Sequence, residues 1–269
     1  MTQPDSLEKR AANRGERLIP GVNYNVPELV RHRNSYVFWQ RIIEYDRAHG
    51  HAQAPIRIVD FGSGVGHGCA TLAQIPGSVV VGIDNSPAAV EYARLHYAGP
   101  NISYVVSDLA SFVATMDSFD YVVSRGVLEH IPDGLRIARD ARWTKRLLFD
   151  VPYKDRPGNP FHVLHDLDEA SFTDFAGAEL FYQDADGFTY DAAHKPSDPG
   201  PNMIMCVAAA PDLPGVGALG FSFPRRFWYP EPDSPLWQWQ AQQRVPLYKR
   251  LYKRLPVRVR LAVSRLRYG

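Results

Sequence analysis

The sequence predicts an α/β protein built on an open, parallel, doubly wound sheet. Three observations carry that prediction. Short apolar runs alternate with helical patterns from residue 56 onward. The first run, Val59-Asp60-Phe61, passes straight into Gly62-Ser63-Gly64-Val65-Gly66, so a strand ends near an acid and turns through glycines toward a helix. A second run ends on another acid, Asp84, 18 residues after Gly66.

Taken in order, residues 56–61 read as a short buried strand, and 69–74 as the helix after the glycines, with Ala70, Leu72 and Ala73 inside it. Residues 78–84 form the second strand. Ser86 caps the next helix, with Pro87 in its first turn. Residues 102–107 and 121–124 give the third and fourth strands, 135–142 a helix, and 145–151 the fifth strand. Residues 168–175 read as a helix. Strands at 178–183 and 203–209 follow without a clear helix between them, so the sheet is expected to finish antiparallel. Upstream, 28–49 reads as a helix within an N-terminal arm or lid of residues 1–50. Residues 51–210 form the main domain. The extension 211–269 begins with a packed loop rich in proline and aromatics (211–236) and ends in a basic tail.

Composition narrows the class. With 45% hydrophobic and 22% charged residues, the 269-residue chain has the balance of a globular protein with one large domain and appendages. No run approaches the ~18 apolar residues of a membrane span, and residues 1–17 have no apolar leader pattern, so the expected address is the cytoplasm. Cys69 and Cys206 lack metal-type or redox-type neighbours and read as buried thiols. Residues 241–269 carry nine of the 30 basic residues and no acid. The remainder therefore has 21 bases against 29 acids, an acidic body with a basic tail.

Glycines have no Cβ, so backbone N–H groups at the loop can approach an extended ligand closely. A dinucleotide fingerprint needs G-x-G-x-x-G/A, but the third position falls on His67 or Cys69. The form present is Asp-x-Gly-x-Gly-x-Gly, from Asp60 through Gly62 and Gly64 to Gly66. It favours a nucleoside ligand with a positively charged amine near Asp60. Asp84 stands where an acid accepts from ribose hydroxyls, beside Asn85; the alternative is a strand-end acid capping the following helix. Ser107-Asp108-Leu109 ends the third strand, where Asp108 either accepts from an adenine amino group or caps a helix.

These motifs together resemble the class I S-adenosylmethionine-dependent methyltransferases. The glycine loop, Asp84, Asp108, Phe119-Asp120-Tyr121-Val122-Val123, and Leu128-Glu129-His130-Ile131-Pro132 follow that family's motifs in order over roughly residues 56–210. The resemblance implies a Rossmann-like seven-stranded sheet with its last strand antiparallel, and S-adenosylmethionine as cofactor. It implies that Gly62, Gly64 and Gly66 bring backbone close to the cofactor and that Asp60 faces its methionine end. Asp84 and Asn85 would then hold the ribose, and Asp108 and Leu109 the adenine.

The N-terminal Gly15-Glu16-Arg17-Leu18-Ile19-Pro20-Gly21, with His32 and Tyr36, is similar to the arm of bacterial methyltransferases associated with surface polysaccharide and glycolipid assembly. Leu18 replaces the usual aromatic there, and the residues around His32 depart from the pattern. Asn159-Pro160-Phe161-His162 is similar to an Asn-Pro-x-His element in such enzymes. The resemblance implies that Arg17 and Tyr36 cover the cofactor and that the acceptor is a glycan, a glycolipid or a small molecule.

An aliphatic hydroxyl is a poor nucleophile, so its methylation calls for a base within hydrogen-bond reach. Histidine suits that task near neutral pH. His130, after the fourth strand, is expected to face the reacting methyl as base or to pack on the cofactor. His162 and His165 lie in the loop after the fifth strand, as a second base candidate or as surface residues. His162, His165, Asp166 and Asp168 do not match a standard zinc spacing, so no metal is expected. Asp150-Val151-Pro152-Tyr153 is similar to an amino-methyltransferase motif but follows the wrong strand and lacks a proline, which argues against amine methylation.

Leu247, Tyr248, Leu251, Tyr252 and Leu255 recur at helical spacing, with Lys249, Arg250, Lys253 and Arg254 on the opposite face. Residues 243–269 thus read as a basic amphipathic tail. It would either touch the inner face of an anionic membrane or a polyanion, or dock on its own domain. A nucleic-acid partner is not expected. The functional expectation is O-methylation of a sugar, glycan or glycolipid-like acceptor. The alternatives are a soluble metabolite or natural product as acceptor, or a protein that binds the cofactor without turnover.

Overall fold

The computed structural model describes residues 6–12, 17–19, 22, 26–159 and 161–229. The basic tail expected at 243–269 lies outside the described residues, as do Gly15, Glu16, Pro20 and Gly21 of the arm motif.

One mixed sheet organises the described residues, in the order β3-β2-β1-β4-β5-β8-β6-β7. Strands β1 (Ile56–Phe61), β2 (Ser78–Asp84), β3 (Ile102–Val106), β4 (Phe119–Arg125) and β5 (Trp143–Pro152) pair in parallel. Strand β8 (Met203–Ala209) runs antiparallel between β5 and β6 (Glu179–Gln183). The sheet is therefore doubly wound with an antiparallel end, as expected, but has eight strands rather than seven. The eighth, β7 (Thr189–Tyr190), returns antiparallel along β6. At two residues it is too short for a strand's alternation to show in sequence.

Helices cover both faces. On one, α2 (Val26–Ala48), α3 (His67–Leu72) and α4 (Pro87–His96) bury Phe38, Trp39, Ile42, Leu72 and Val90 against Ile56, Ile58 and Val80. On the other, α5 (Leu109–Thr115) and α6 (Gly134–Asp140) bury Val113 and Ile137 against Val59, Phe61, Val122 and Leu147. The strand alternation sends Ile58 to the first face and Val59 to the second. Asp60, in step with Ile58, points to the α2/α3 face.

Helix α2 is fixed by a buried polar clamp. Arg146 of β5 donates to both oxygens of Asp46, each at 2.8 Å, and the Tyr121 hydroxyl donates to the same carboxylate at 3.0 Å. Bidentate geometry makes such a buried pair specific in direction. It orients the helix that carries His32 and Tyr36 over the strand ends. The arm's short helix α1 (Leu7–Ala12) packs Ala11 and Ala12 with Ile19, Val65 and Tyr92. Phe221, Phe223 and Phe227 of the extension pack edge-on or tilted around Phe38.

Two expected helices differ in the structure. Residues 168–175 form only a single tight turn, Glu169–Phe172, closed by a reciprocal cap between Asp168 and Ser171. Phe172, at the end of this turn, and Phe175, three residues on, both reach the core. Helix α3 begins two residues earlier than expected, at His67. Gly66 in the left-handed region (φ 95°) makes the bend at its N-terminus.

Candidate active site

The carboxyl ends of the parallel strands open into a cavity of about 540 Å³. Arg17, Tyr36, Gly62, Gly64, Asp84, Asn85, Asp108, Leu109 and His130 all line it. Nine residues singled out in sequence, spread over more than a hundred positions, thus meet at one place. Strand order creates the opening, because β1 and β4 leave in opposite directions from the switch point of the sheet.

The glycine loop shapes the floor. Gly62 has φ 69°, and a Cβ on it would overlap the methyls of Val127, so the β1 and β4 turns nest only with glycine there. The Gly64 amide donates to Asp84 Oδ2 at 2.9 Å. The other oxygen, Oδ1, accepts from the Ser86 amide at 2.8 Å and from Arg17 at 2.8 Å. Asp84 therefore caps the following turn while also lining the cavity, so the two sequence readings of this acid are compatible. Asp108 likewise caps α5 by accepting from the Ser111 amide at 2.8 Å, and these bonds lower its pKa.

Two residues stand elsewhere than expected. Asp60 does not line the cavity: it is fully buried under the loop, accepting from the Tyr36 hydroxyl at 3.0 and 3.1 Å and from the Cys69 thiol. The strand pleat turns it toward α2 and α3, and burial raises its pKa to about 7. Its contact with any ligand would pass through Tyr36. Gly66 is also buried, with a would-be Cβ 2.8 Å from Ala93, so it serves the packing of α3 on α4 and lies outside the cavity lining.

A second cavity of about 370 Å³ adjoins the first. Its walls are mostly polar, with Arg31, Glu129, Tyr153, Lys154, Asp155 and His162 among them. The two cavities share His32, Arg125, Gly126 and His130. His162 belongs to the second alone, and His165 to neither. The loop after β5 is pinched at its base by Lys154 N–H to Leu167 O (2.8 Å) and Asp166 N–H to Asp155 O (2.9 Å). Lys154 and Asp166 both take positive φ, 49° and 55°. The tip docks through the amides of Val163 and Leu164 on the Glu129 carbonyl, at 2.8 and 3.0 Å.

This docking sets the imidazoles. His130 Nδ1 lies 2.9 Å from the Phe161 carbonyl, which only accepts, so Nδ1 carries a proton. Burial lowers the His130 pKa and favours the neutral form. His162 Nδ1 sits 2.6 Å from Asp155 Oδ2, and its ring meets His130 edge-on at 4.9 Å. Glu129 is 2% exposed, and burial raises its pKa to about 8. Glu129, His130 and His162 offer ligand atoms within 4.8 Å of one another. This set shares only His162 with the four residues weighed for a metal in sequence.

Arg125, Glu129 and Ser63 are among the lining residues not singled out in sequence. Arg125 ends β4, 8% exposed, 3.8 Å from Asp150. A charge that ends a buried strand is the same signal that marked Asp84. Glu129 lies inside the Leu128–Pro132 stretch beside the histidine that was chosen. Ser63 lies between two of the chosen glycines.

Residues 58–145 match the model of a methyltransferase domain. A probable S-adenosylmethionine-dependent methyltransferase of Mycobacterium tuberculosis is 28% identical over 227 residues, covering 76% of each chain. A ubiquinone biosynthesis O-methyltransferase of Saccharophagus degradans is 38% identical over 80 residues, 29% of this chain and 34% of its own. Among solved structures, the N-terminal domain of EvdMO1 with SAH bound superposes with a TM-score of 0.52 at 17% identity, covering 78% of this chain and 98% of that one. WbdD gives a TM-score of 0.52 at 18% identity over 76% of this chain and 47% of its own. Both share the fold.

Proposed function

We propose that this chain is a class I S-adenosylmethionine-dependent methyltransferase, as its similarity to such enzymes supports, and moves the methyl group of its cofactor to an oxygen of a sugar, glycan or glycolipid-like acceptor. The observation that carries the reading is the polar second cavity, joined to the first at His130 and Arg125. A hydroxyl-rich acceptor needs many hydrogen-bonding groups, and the walls supply cations, carboxylates, Tyr153 and Asn159. Oxygen as the nucleophile is supported by a relative named as an O-methyltransferase, and the polysaccharide-type arm motif supports the acceptor class.

In this reading S-adenosylmethionine lies in the first cavity. Its ribose meets Asp84 and Asn85, its adenine meets Asp108 and Leu109, and its sulfonium points to the seam. The Gly62–Gly64 backbone and Arg17 line its path. The acceptor hydroxyl enters from the second cavity. As its oxygen bonds to the methyl carbon, the carbon–sulfur bond breaks and neutral S-adenosylhomocysteine remains. The hydroxyl proton passes to His130 Nε2, while His162 orients the acceptor. Seating the reacting pair at the seam fixes its alignment, which matters because positioning supplies much of the rate.

The test is turnover with purified protein, S-adenosylmethionine and a panel of free sugars, nucleotide sugars, glycolipids and phenols, read as S-adenosylhomocysteine release and methyl gain by mass spectrometry. Release that depends on a carbohydrate is the expected result. Turnover confined to phenols would reassign the acceptor to the natural-product class. Peripheral membrane contact through residues 243–269 belongs to the same proposal. No helix among the described residues is long and apolar enough to cross a membrane. Deleting 243–269 is expected to abolish sedimentation with anionic liposomes, and unchanged sedimentation would remove the membrane role.

A further inference from the structure

We propose that Glu129, His130 and His162 hold one divalent transition-metal cation at the seam between the two cavities. This rests on the acceptor-site reading above and deepens it. The three side chains bring one carboxylate and two imidazoles to one point, with all ligand atoms within 4.8 Å and Glu129 Oε1 3.8 Å from His130 Nε2. Two ligands on one tetrahedral zinc-sized cation stand roughly 3.3–3.6 Å apart, given metal–ligand bonds of about 2.0–2.2 Å. Side-chain adjustment of well under an ångström per residue would close the set.

The second observation is independent of that spacing. Glu129 Oε2 is buried without a hydrogen-bond partner, on a side chain that lines the second cavity and is 3% exposed. An orphaned buried carboxylate oxygen costs several kcal/mol unless something fills its coordination. A cation placed among these three residues supplies that partner. Arg125, a cation in the same lining, lies 3.8 Å from Asp150.

The outer groups are arranged as metal-binding histidines require. Metal-ligating imidazoles donate their other ring N–H to a carboxylate or backbone carbonyl, which sets the tautomer. His162 has Asp155 at Nδ1 and His130 has the Phe161 carbonyl. With Nδ1 so held, Nε2 is the nitrogen that would coordinate. Two imidazoles and one carboxylate suit Zn²⁺, Co²⁺, Mn²⁺ or Fe²⁺, whereas Mg²⁺ and Ca²⁺ take oxygen ligands. Three protein ligands leave open positions, which suits a cation that binds a hydroxyl of the acceptor.

With the cation in place, His130 becomes a ligand, and activation of the hydroxyl passes from the imidazole to the cation. The coordinated hydroxyl releases its proton to water through the mouth of the second cavity. Its oxygen bonds to the methyl carbon as the carbon–sulfur bond breaks, leaving neutral S-adenosylhomocysteine.

Untagged protein titrated with Co²⁺ tests this by its visible absorption bands and by calorimetry. The expected result is saturable binding of about one equivalent per chain, weakened at least tenfold in both Glu129→Gln and His162→Gln. Calorimetry with S-adenosylhomocysteine confirms that each variant keeps the first cavity, and His162→Gln, on a loop, serves if Glu129→Gln does not fold. Absence of saturable binding by the wild type, or undiminished binding in a folded variant, would overturn the proposal. Failure here, with carbohydrate methylation intact, leaves the function standing. Metal binding without carbohydrate turnover sinks the acceptor reading and keeps the site.

Discussion

The first cavity is walled by the ends of parallel strands and their glycine turn, and the second by the loop after β5 together with α2, the segment after β4 and the entry to β8. In the first, the lining is backbone and acids that also cap the next turn: Gly62, Gly64, Asp84 and Asp108 hold places set by the sheet. In the second, charged side chains from several elements face the space, and those of Lys154, Asp155 and His162 sit on a loop held by two backbone bonds at its neck and two at its tip. A cofactor common to a large family fits a site made of architecture. An acceptor that varies fits a site made of side chains, several of them on a loop where substitution leaves the sheet intact. The seam residues Arg125 and His130 belong to both.

Substitutions can break that division, and the largest effect is expected at the seam. His130→Gln, which removes the base or, with the cation bound, one of its ligands, should lower kcat by about 10²–10⁴-fold, with S-adenosylmethionine affinity nearly unchanged. Stopped-time product assays beside calorimetry check both halves, and a matching loss of cofactor affinity would show that His130 serves the first cavity instead. Next comes Gly62→Val, whose methyls would overlap Val127 at a positive φ. Overpacking of about 1–3 kcal/mol translates to roughly 5–150-fold weaker cofactor binding. Unaltered calorimetric affinity would mean that the loop yields.

Asp155→Asn should act on the acceptor side alone. It removes the carboxylate beside His162 Nδ1, and an acceptor KM raised about tenfold with unchanged cofactor affinity is expected from a positioning group. A changed cofactor affinity would mean that the loop also shapes the first cavity.

The smallest effect concerns Asp60, which supports the first cavity from beneath. Its folded pKa of about 7 lies above the ~3.9 of an unfolded Asp, so the folded state binds more protons between those values. The stability from this group is fully present below about pH 4 and is lost as pH rises to about 7. Asp60→Asn should therefore flatten the pH dependence of Tm across that window and raise Tm by a few degrees at pH 8. An identical slope in wild type and variant, read by calorimetric melting, would show that Asp60 titrates no differently on folding.

Most of the sheet and most of the first cavity were legible in the chain itself. Asp84, Asp108 and the glycines each report locally, because a strand end, a turn and a helix start are written within a few residues. Asp60 shows where that legibility stops. Its place in the motif is plain, but the pleat that turns it toward Tyr36, away from the cavity, depends on which face α2 covers. The two-residue β7 and the single turn at Glu169–Phe172 are too short to carry a period.

By itself, then, the sequence determined the alternating α/β order, the nucleoside-type turn and the acids that follow it, since these rest on short-range conformational preference and hydrophobic period. Only the tertiary structure decided that Glu129, His130 and His162 converge and that Asp155 stands behind His162. Residues thirty positions apart meet there because one loop, pinned at Lys154 and Asp166, folds its tip onto the Glu129 carbonyl. Closing that loop is a non-local event, and no pattern within either segment records it.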